Sequence, residues 1–178
     1  MPAAIPAIEC RGLKKVFGSV IANNHVGLTV NYGEILAILG ENGSGKTTLM
    51  NMLSGIYKQD EGEILINGEL AAINSPADSQ SLGIGMIHQH FKLIDVFTAF
   101  ENIIMGTKEK GNQQTKDKIK KMCDEYGLQI DLDKKVYDMS VSEKQNVEIV
   151  KIIFKGAKIL ILDEPTAVLT PQETTKLF

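Results

Sequence analysis

One octapeptide constrains the fold of this chain more than any other feature. Gly40-Glu41-Asn42-Gly43-Ser44-Gly45-Lys46-Thr47 fits GxxxxGK[ST] at every fixed position. The apolar run 35–39 precedes it, and Leu49, Met52 and Leu53 follow it at helical spacing. A strand, a glycine loop and a helix in that order are what the grip on a phosphate group requires. Glycines let successive backbone N–H groups turn inward, and a helix N-terminus adds a favourable dipole. Lys46 can reach β- and γ-phosphates, and the Thr47 hydroxyl can ligate Mg²⁺. A structural turn carrying a surface lysine is the plainer reading, and Lys-Thr-Thr opening a helix weighs against it.

A phosphate loop of this kind needs an acidic partner at the end of another buried strand. Ile159-Leu160-Ile161-Leu162 reads as such a strand, and Asp163 and Glu164 emerge at its C-terminal edge. Asp163 suits Mg²⁺ coordination, and Glu164 is placed to orient and polarise a water attacking a γ-phosphate. A polar turn after a core strand would use the same residues. Their pairing with the loop favours the chemical reading.

Short apolar runs alternate with amphipathic stretches, which predicts an α/β fold. Strands are expected at 7–15, 25–31, 34–39, 63–66, 84–88 and 158–162. Turn signals separate the early strands, so the N-terminal part is expected to form an antiparallel layer beside a mainly parallel sheet. Helices are expected at 47–54, 98–105, 113–126 and 140–154. The stretch 107–155 reads as a helical subdomain inserted into a catalytic core made of 1–106 and 156–178. Its lysine-rich run 116–121 reads as a solvated helix face. The 178 residues carry 19 Lys and Arg against 22 Asp and Glu, a net charge of −3. That balance gives no footprint for nucleic acid, and none is expected as a partner. Cys10 and Cys123 have neither disulfide nor zinc spacing. The apolar runs are strand-sized, far below the roughly 18 residues of a membrane helix.

With these motifs in this order, the chain resembles the ATP-binding subunit of an ABC transporter, from residue 8 to residue 172. The resemblance implies a P-loop nucleotide-binding domain that binds ATP with Mg²⁺. Gly40 through Thr47, together with Thr48, would hold the phosphates, and Thr47, Gln89 and Asp163 would serve the metal. Phe17, before Gly18, matches the aromatic position on which adenine stacks; a core-packing phenylalanine is the alternative. Gln89 matches the Q-loop glutamine, which contacts Mg²⁺ and water and faces the membrane partner, and Glu164 the catalytic carboxylate. His88 and His90 flank Gln89, but a metal there lacks further ligands at suitable spacing.

Ser140, Val141, Ser142 and Glu143 fall where the family carries its LSGGQ-type signature, which acts in trans on the opposite nucleotide site. Valine and serine replace its two glycines. Ser140-x-x-Glu143 before an apolar helix is also a capping box, and both readings can hold together. The segment 165–170 and the run 83–106 resemble the tandem ATPases of nucleoside and simple-sugar importers. The family's switch histidine lies beyond residue 178, since His25, His88 and His90 all precede the place it occupies. The chain is therefore expected to be a truncated first cassette lacking the last strands of its sheet, and weakly active alone. Implied partners are a second cassette in the same full-length chain, transmembrane permease subunits and, indirectly, an extracytoplasmic binding protein. The implied location is cytoplasmic, peripheral on the inner membrane face through the permease. The alternatives are a nucleotide-binding regulatory module with little turnover and a non-transport ABC ATPase.

Overall fold

A computed structural model describes residues 5–87 and 91–163. The chain divides into two units, Met1–Ile84 and Gly85–Phe178.

The first unit starts from a hairpin. Strand β1 (Ile8–Phe17) pairs antiparallel with β2 (Val20–Val30), from Ile8 opposite Val30 to Phe17 opposite Val20. Only Gly18 and Ser19 separate the last pair, and Gly18 has a φ of 58°, which a two-residue turn of this type requires. β1 pairs on its other edge with β3 (Glu61–Ile66), which pairs with β4 (Glu69–Leu70). The order β2-β1-β3-β4 is the expected antiparallel layer. Ile8, Cys10 and Leu13 are buried along β1, as are Ile64 and Ile66 along β3. Helix α1 (Lys46–Leu53) buries Leu49, Met52 and Leu53, the three residues whose spacing marked it in the sequence. Helix α2 (Pro76–Ser81), which the sequence reading omitted, is capped by the Ser75 side chain with proline in its first turn. Ser79 Oγ then donates to Leu53 O at 2.9 Å, tying α2 to the end of α1.

One expectation fails here. Residues 34–39 form no strand, and Ile35, Leu36 and Leu39 are exposed, Leu39 to 91%. An apolar run supplies strand propensity, but a strand exists only through ladder hydrogen bonds to a neighbour. Among the described residues this run has no such ladder.

In the second unit β5 (Ile84–Ile87) and β6 (Ile159–Leu162) form a two-stranded sheet. Between them run α3 (Ala99–Ile104), α4 (Gln113–Tyr126), a 3₁₀ turn at Val136–Asp138 and α5 (Val141–Phe154). α4 buries Thr115, Ile119 and Cys123 at a spacing of four, and Lys118, Lys120 and Lys121 line the exposed face as expected. Lys116 departs from that face: it is half-buried, pairs with Asp133 and stands over the Phe100 ring. Burial lifts the thiols of Cys10 and Cys123 to about 12 and about 11, which makes both inert core residues. α5 is the central helix: Gln145 through Val150 are all buried, whichever way they point. Its Val147, Ile149 and Val150 share one core with Phe100, Ile103, Ile119 and Val136. Burying one such side chain stabilises the unit by about 1.5–3 kcal/mol. A helix buried all round also carries polar residues inward, and these need partners.

Candidate functional site

The glycine loop sits in the first unit, between residue 39 and α1. Gly45 is the N-cap of α1, with φ 90° and no side-chain cap hydrogen bond. A Cβ at Gly45 would stand 2.3 Å from Ala22 O and 3.0 Å from Asn23 Nδ2. Glycine is therefore required twice, by the left-handed backbone and by the close approach of β2. Asn23 Nδ2 donates to Gly45 O at 3.3 Å, and Leu49 N donates to the same carbonyl at 3.0 Å. The loop is thus seated on the start of β2. Gly43 is also left-handed, at φ 84°.

Lys46 folds back over the loop. Its Nζ donates to Gly40 O at 2.6 Å and to Glu41 O at 2.8 Å. Glu41, Asn42, Gly43 and Ser44 are exposed, as is Thr47, while Thr48 is half-buried. Gly45 brings no side-chain cap to the start of α1, and one ammonium group stands beside it. That is the chemistry of an anion site.

Phe17 lies at the turn end of the same hairpin that seats Gly45. It is 42% exposed, and its ring meets Tyr57 edge-on, with centroids 5.2 Å apart and planes at 72°. Lys15 Nζ stands 5.5 Å from the Phe17 ring centre and forms an ion pair with Asp60 at 2.9 Å. Asp60 Oδ2 also accepts from Val16 N at 2.7 Å. The Lys15 hydrogen bond leads these contacts in holding the Asp60 carboxyl below its usual range. Tyr57 and Asn23 are neighbours that the sequence reading did not single out. Asn23 carried a faint signal, a polar side chain where a half-buried strand would place an apolar one.

The acidic strand end belongs to the second unit. Asp163 follows β6, is half-buried, and its N–H donates to Ile87 O at 3.1 Å. Gln89 and Glu164 lie outside the described residues, as do His88 and His90. Among the described residues no three His, Cys, Asp or Glu side chains are grouped to hold a metal ion. Thr47 in the first unit and Asp163 in the second each carry a hard oxygen donor of the kind Mg²⁺ takes.

Ser140 is the N-cap of α5, and the capping box is complete. Ser140 Oγ accepts from Glu143 N at 3.3 Å, and Glu143 Oε2 accepts from Ser140 N at 2.8 Å. Lys134 Nζ donates to Glu143 Oε1 at 2.7 Å. The Lys134 bond, followed by the Ser140 N–H, holds the Glu143 carboxyl down to about 2. Val141 is 53% exposed, and Ser142 is half-buried.

No helix among the described residues is long and apolar enough to cross a membrane. Over residues 23–167 the sequence matches the family described as ABC transporter. It is 48% identical over 175 residues to the guanosine import ATP-binding protein NupO of Bacillus subtilis, covering 96% of this chain and 34% of that protein. It is 49% identical over 175 residues to the nucleoside import ATP-binding protein NupA of Lactococcus lactis subsp. cremoris, covering 96% and 35%. The structure is similar to the ADP conformation of an ATP-binding cassette of an ABC transporter, with a TM-score of 0.83 at 26% identity over 97% of this chain and 74% of that one. The chain spans about a third of the length of the curated relatives it matches. With its glycine loop and α/β architecture, this chain belongs to the ABC transporter family.

Proposed function

We propose that this chain is an ATP-binding and hydrolysing cassette of an importer whose cargo is a nucleoside or a simple sugar. The start of α1 carries the reading: a left-handed glycine cap with no side-chain hydrogen bond, and Lys46 gathered over the loop. The loop from Gly40 to Thr48 binds the phosphates through backbone N–H groups and Lys46. Phe17, exposed at the turn end of the hairpin that seats the loop, supplies the adenine platform. A bound Mg²⁺ supplies charge neutralisation at the β- and γ-phosphates, with Thr47, Gln89 and Asp163 as the groups that would hold it. Glu164 accepts a proton from the attacking water, in the role the family resemblance implies.

The import reading is supported by the names of the nucleoside relatives. It places the chain on the cytoplasmic face of the membrane, held there by permease subunits and working with a second cassette. Cargo identity rests with the permease and an extracytoplasmic binding protein. A regulatory module with little turnover is the second reading, favoured by the exposed Val141 and by Ser142 where the family signature has glycines.

Single-turnover hydrolysis of pre-bound ATP in the full-length protein tests the proposal. The other cassette is silenced through its own P-loop lysine. Glu164→Gln keeps shape and hydrogen bonding, so ATP affinity is expected to hold while hydrolysis slows by about 10²–10⁴-fold. Unchanged hydrolysis removes Glu164 from the mechanism, and a wild-type protein that binds ATP without turning it over favours the regulatory reading.

A further inference from the structure

The second unit holds an ion pair between a buried carboxylate and a half-buried lysine to which none of these roles is assigned. Glu148 on α5 is 3% exposed, and Lys151 lies almost one turn on, with Nζ 3.3 Å from Glu148 Oε1. Both groups turn to a single distant residue, Lys92. Its backbone N–H donates to Glu148 Oε1 at 3.2 Å, and its carbonyl accepts from Lys151 Nζ at 2.7 Å. Residue 94 is held in the same fashion from another helix. Ile94 N donates to Asn102 Oδ1 at 2.8 Å, and Asn102 Nδ2 donates to Ile94 O at 3.0 Å. Asn102 sits on α3 and is 1% exposed.

Residues 91–94 belong to neither helix nor strand. Their backbone polar groups therefore have no ladder or helical partner, and side chains of α5 and α3 take that place at alternate residues. Withdrawing a charge pair even partly from water is an expensive way to gain stability, and apolar residues of similar volume often serve as well or better. Such residues could not satisfy an N–H and a C=O on one distant backbone unit. The pair's distinctive product is the position of residue 92.

We propose that Glu148 and Lys151 are positioning residues that fasten the segment entered at Lys92 to α5, with Asn102 fastening it to α3. Gln89 precedes Lys92 by three residues in the chain, and Ser140–Glu143 form the start of α5. The clamp makes the segment after Gln89 and the signature helix move as one piece. Its catalytic consequence rests on the function proposed above.

The test uses the double variant Glu148→Met with Lys151→Met in the full-length protein, which removes both charges and leaves no lone ion buried. Amide hydrogen exchange should rise by about tenfold or more at residues 92–94 while the middle of α5 keeps its protection. ATP affinity should hold while single-turnover hydrolysis falls about tenfold, the signature of a misplaced segment. Lys151→Arg, which keeps charge and donors, should restore both readouts toward wild type. If the double variant does not fold, Lys151→Met carries the same two measurements. Unchanged exchange at residue 92 overturns the clamp, and raised exchange with unchanged hydrolysis overturns its positioning role. A wild-type protein without hydrolysis overturns the functional reading instead, while the exchange measurement still decides the clamp.

Discussion

Helices α1 and α5 begin in opposite ways. α5 closes its own N-terminus: Ser140 and Glu143 exchange hydrogen bonds, and Lys134 locks the Glu143 carboxylate in place. α1 begins on a left-handed glycine with no side-chain cap, and its one nearby cation folds onto loop carbonyls. A capping box satisfies helix-end donors from within the chain. A glycine cap leaves them to be satisfied from outside. The difference assigns the two ends different work. α5 needs no ligand to be a stable helix, whereas the start of α1 is where the proposed function puts an anion.

Gly45→Ala breaks the comparison most severely. A left-handed φ at a residue with Cβ costs roughly 1–3 kcal/mol. The added carbon would also press on Ala22 O. Urea unfolding should show at least that loss, and the rise in melting temperature caused by Mg-ATP should disappear with the loop geometry. A variant that keeps both the stability and the ATP-induced rise would show that the start of α1 is not a ligand site.

Next in size is Phe17→Ala. The ring is exposed at a hairpin turn and not part of the core, so the fold should tolerate its loss. If the anion at the start of α1 carries a base, affinity for ATP should weaken by about 1–3 kcal/mol, the scale of base–aromatic stacking. Affinity for inorganic triphosphate should not change. Titration calorimetry with both ligands separates the base from the phosphates, and equal losses for the two would reassign Phe17 to support of the loop.

Features written in local sequence were legible. The bounds of α4 coincide with its amphipathic period and the Asn112 cap, and the capping box of α5 was visible as Ser140-x-x-Glu143. The glycines of the phosphate loop were legible because left-handed backbone admits few other residues. Features that depend on a distant partner were not. Residues 34–39 have the composition of a strand but make no ladder, and composition cannot report a missing neighbour. β4 has only two residues, and α2 is a polar six-residue helix whose one buried residue is Ser79, so no apolar period shows. Tyr57 beside Phe17, Asn23 beneath Gly45 and the hold of Glu148 and Lys151 on Lys92 each join residues far apart in the chain. Nothing at either end of such a pair announces the other.

The smallest expected effect probes the closed end, through Glu143→Gln. Glu143 has its folded pKa lowered to about 2 from a reference near 4.5, first by the Lys134 hydrogen bond and then by the Ser140 N–H. A depressed carboxyl stabilises the fold above its unfolded value and loses that contribution as pH falls through the folded one. The stability gap between wild type and Glu143→Gln should therefore be full at pH 7 and shrink between about pH 4.5 and pH 2. Water reaches both partners, whose side chains are 32% and 40% exposed, so screening keeps the gap under about 1 kcal/mol at pH 7. Urea unfolding of both proteins at pH 7, 4 and 3 measures it. A gap that does not change with pH would mean that the shape of the side chain, and not its charge, closes this helix end. The Mg-ATP-induced rise in melting temperature should be the same in both proteins when this chain is studied alone. A smaller rise in Glu143→Gln would place a nucleotide contact at the start of α5 within the same chain, and the contrast between the two helix ends would fail.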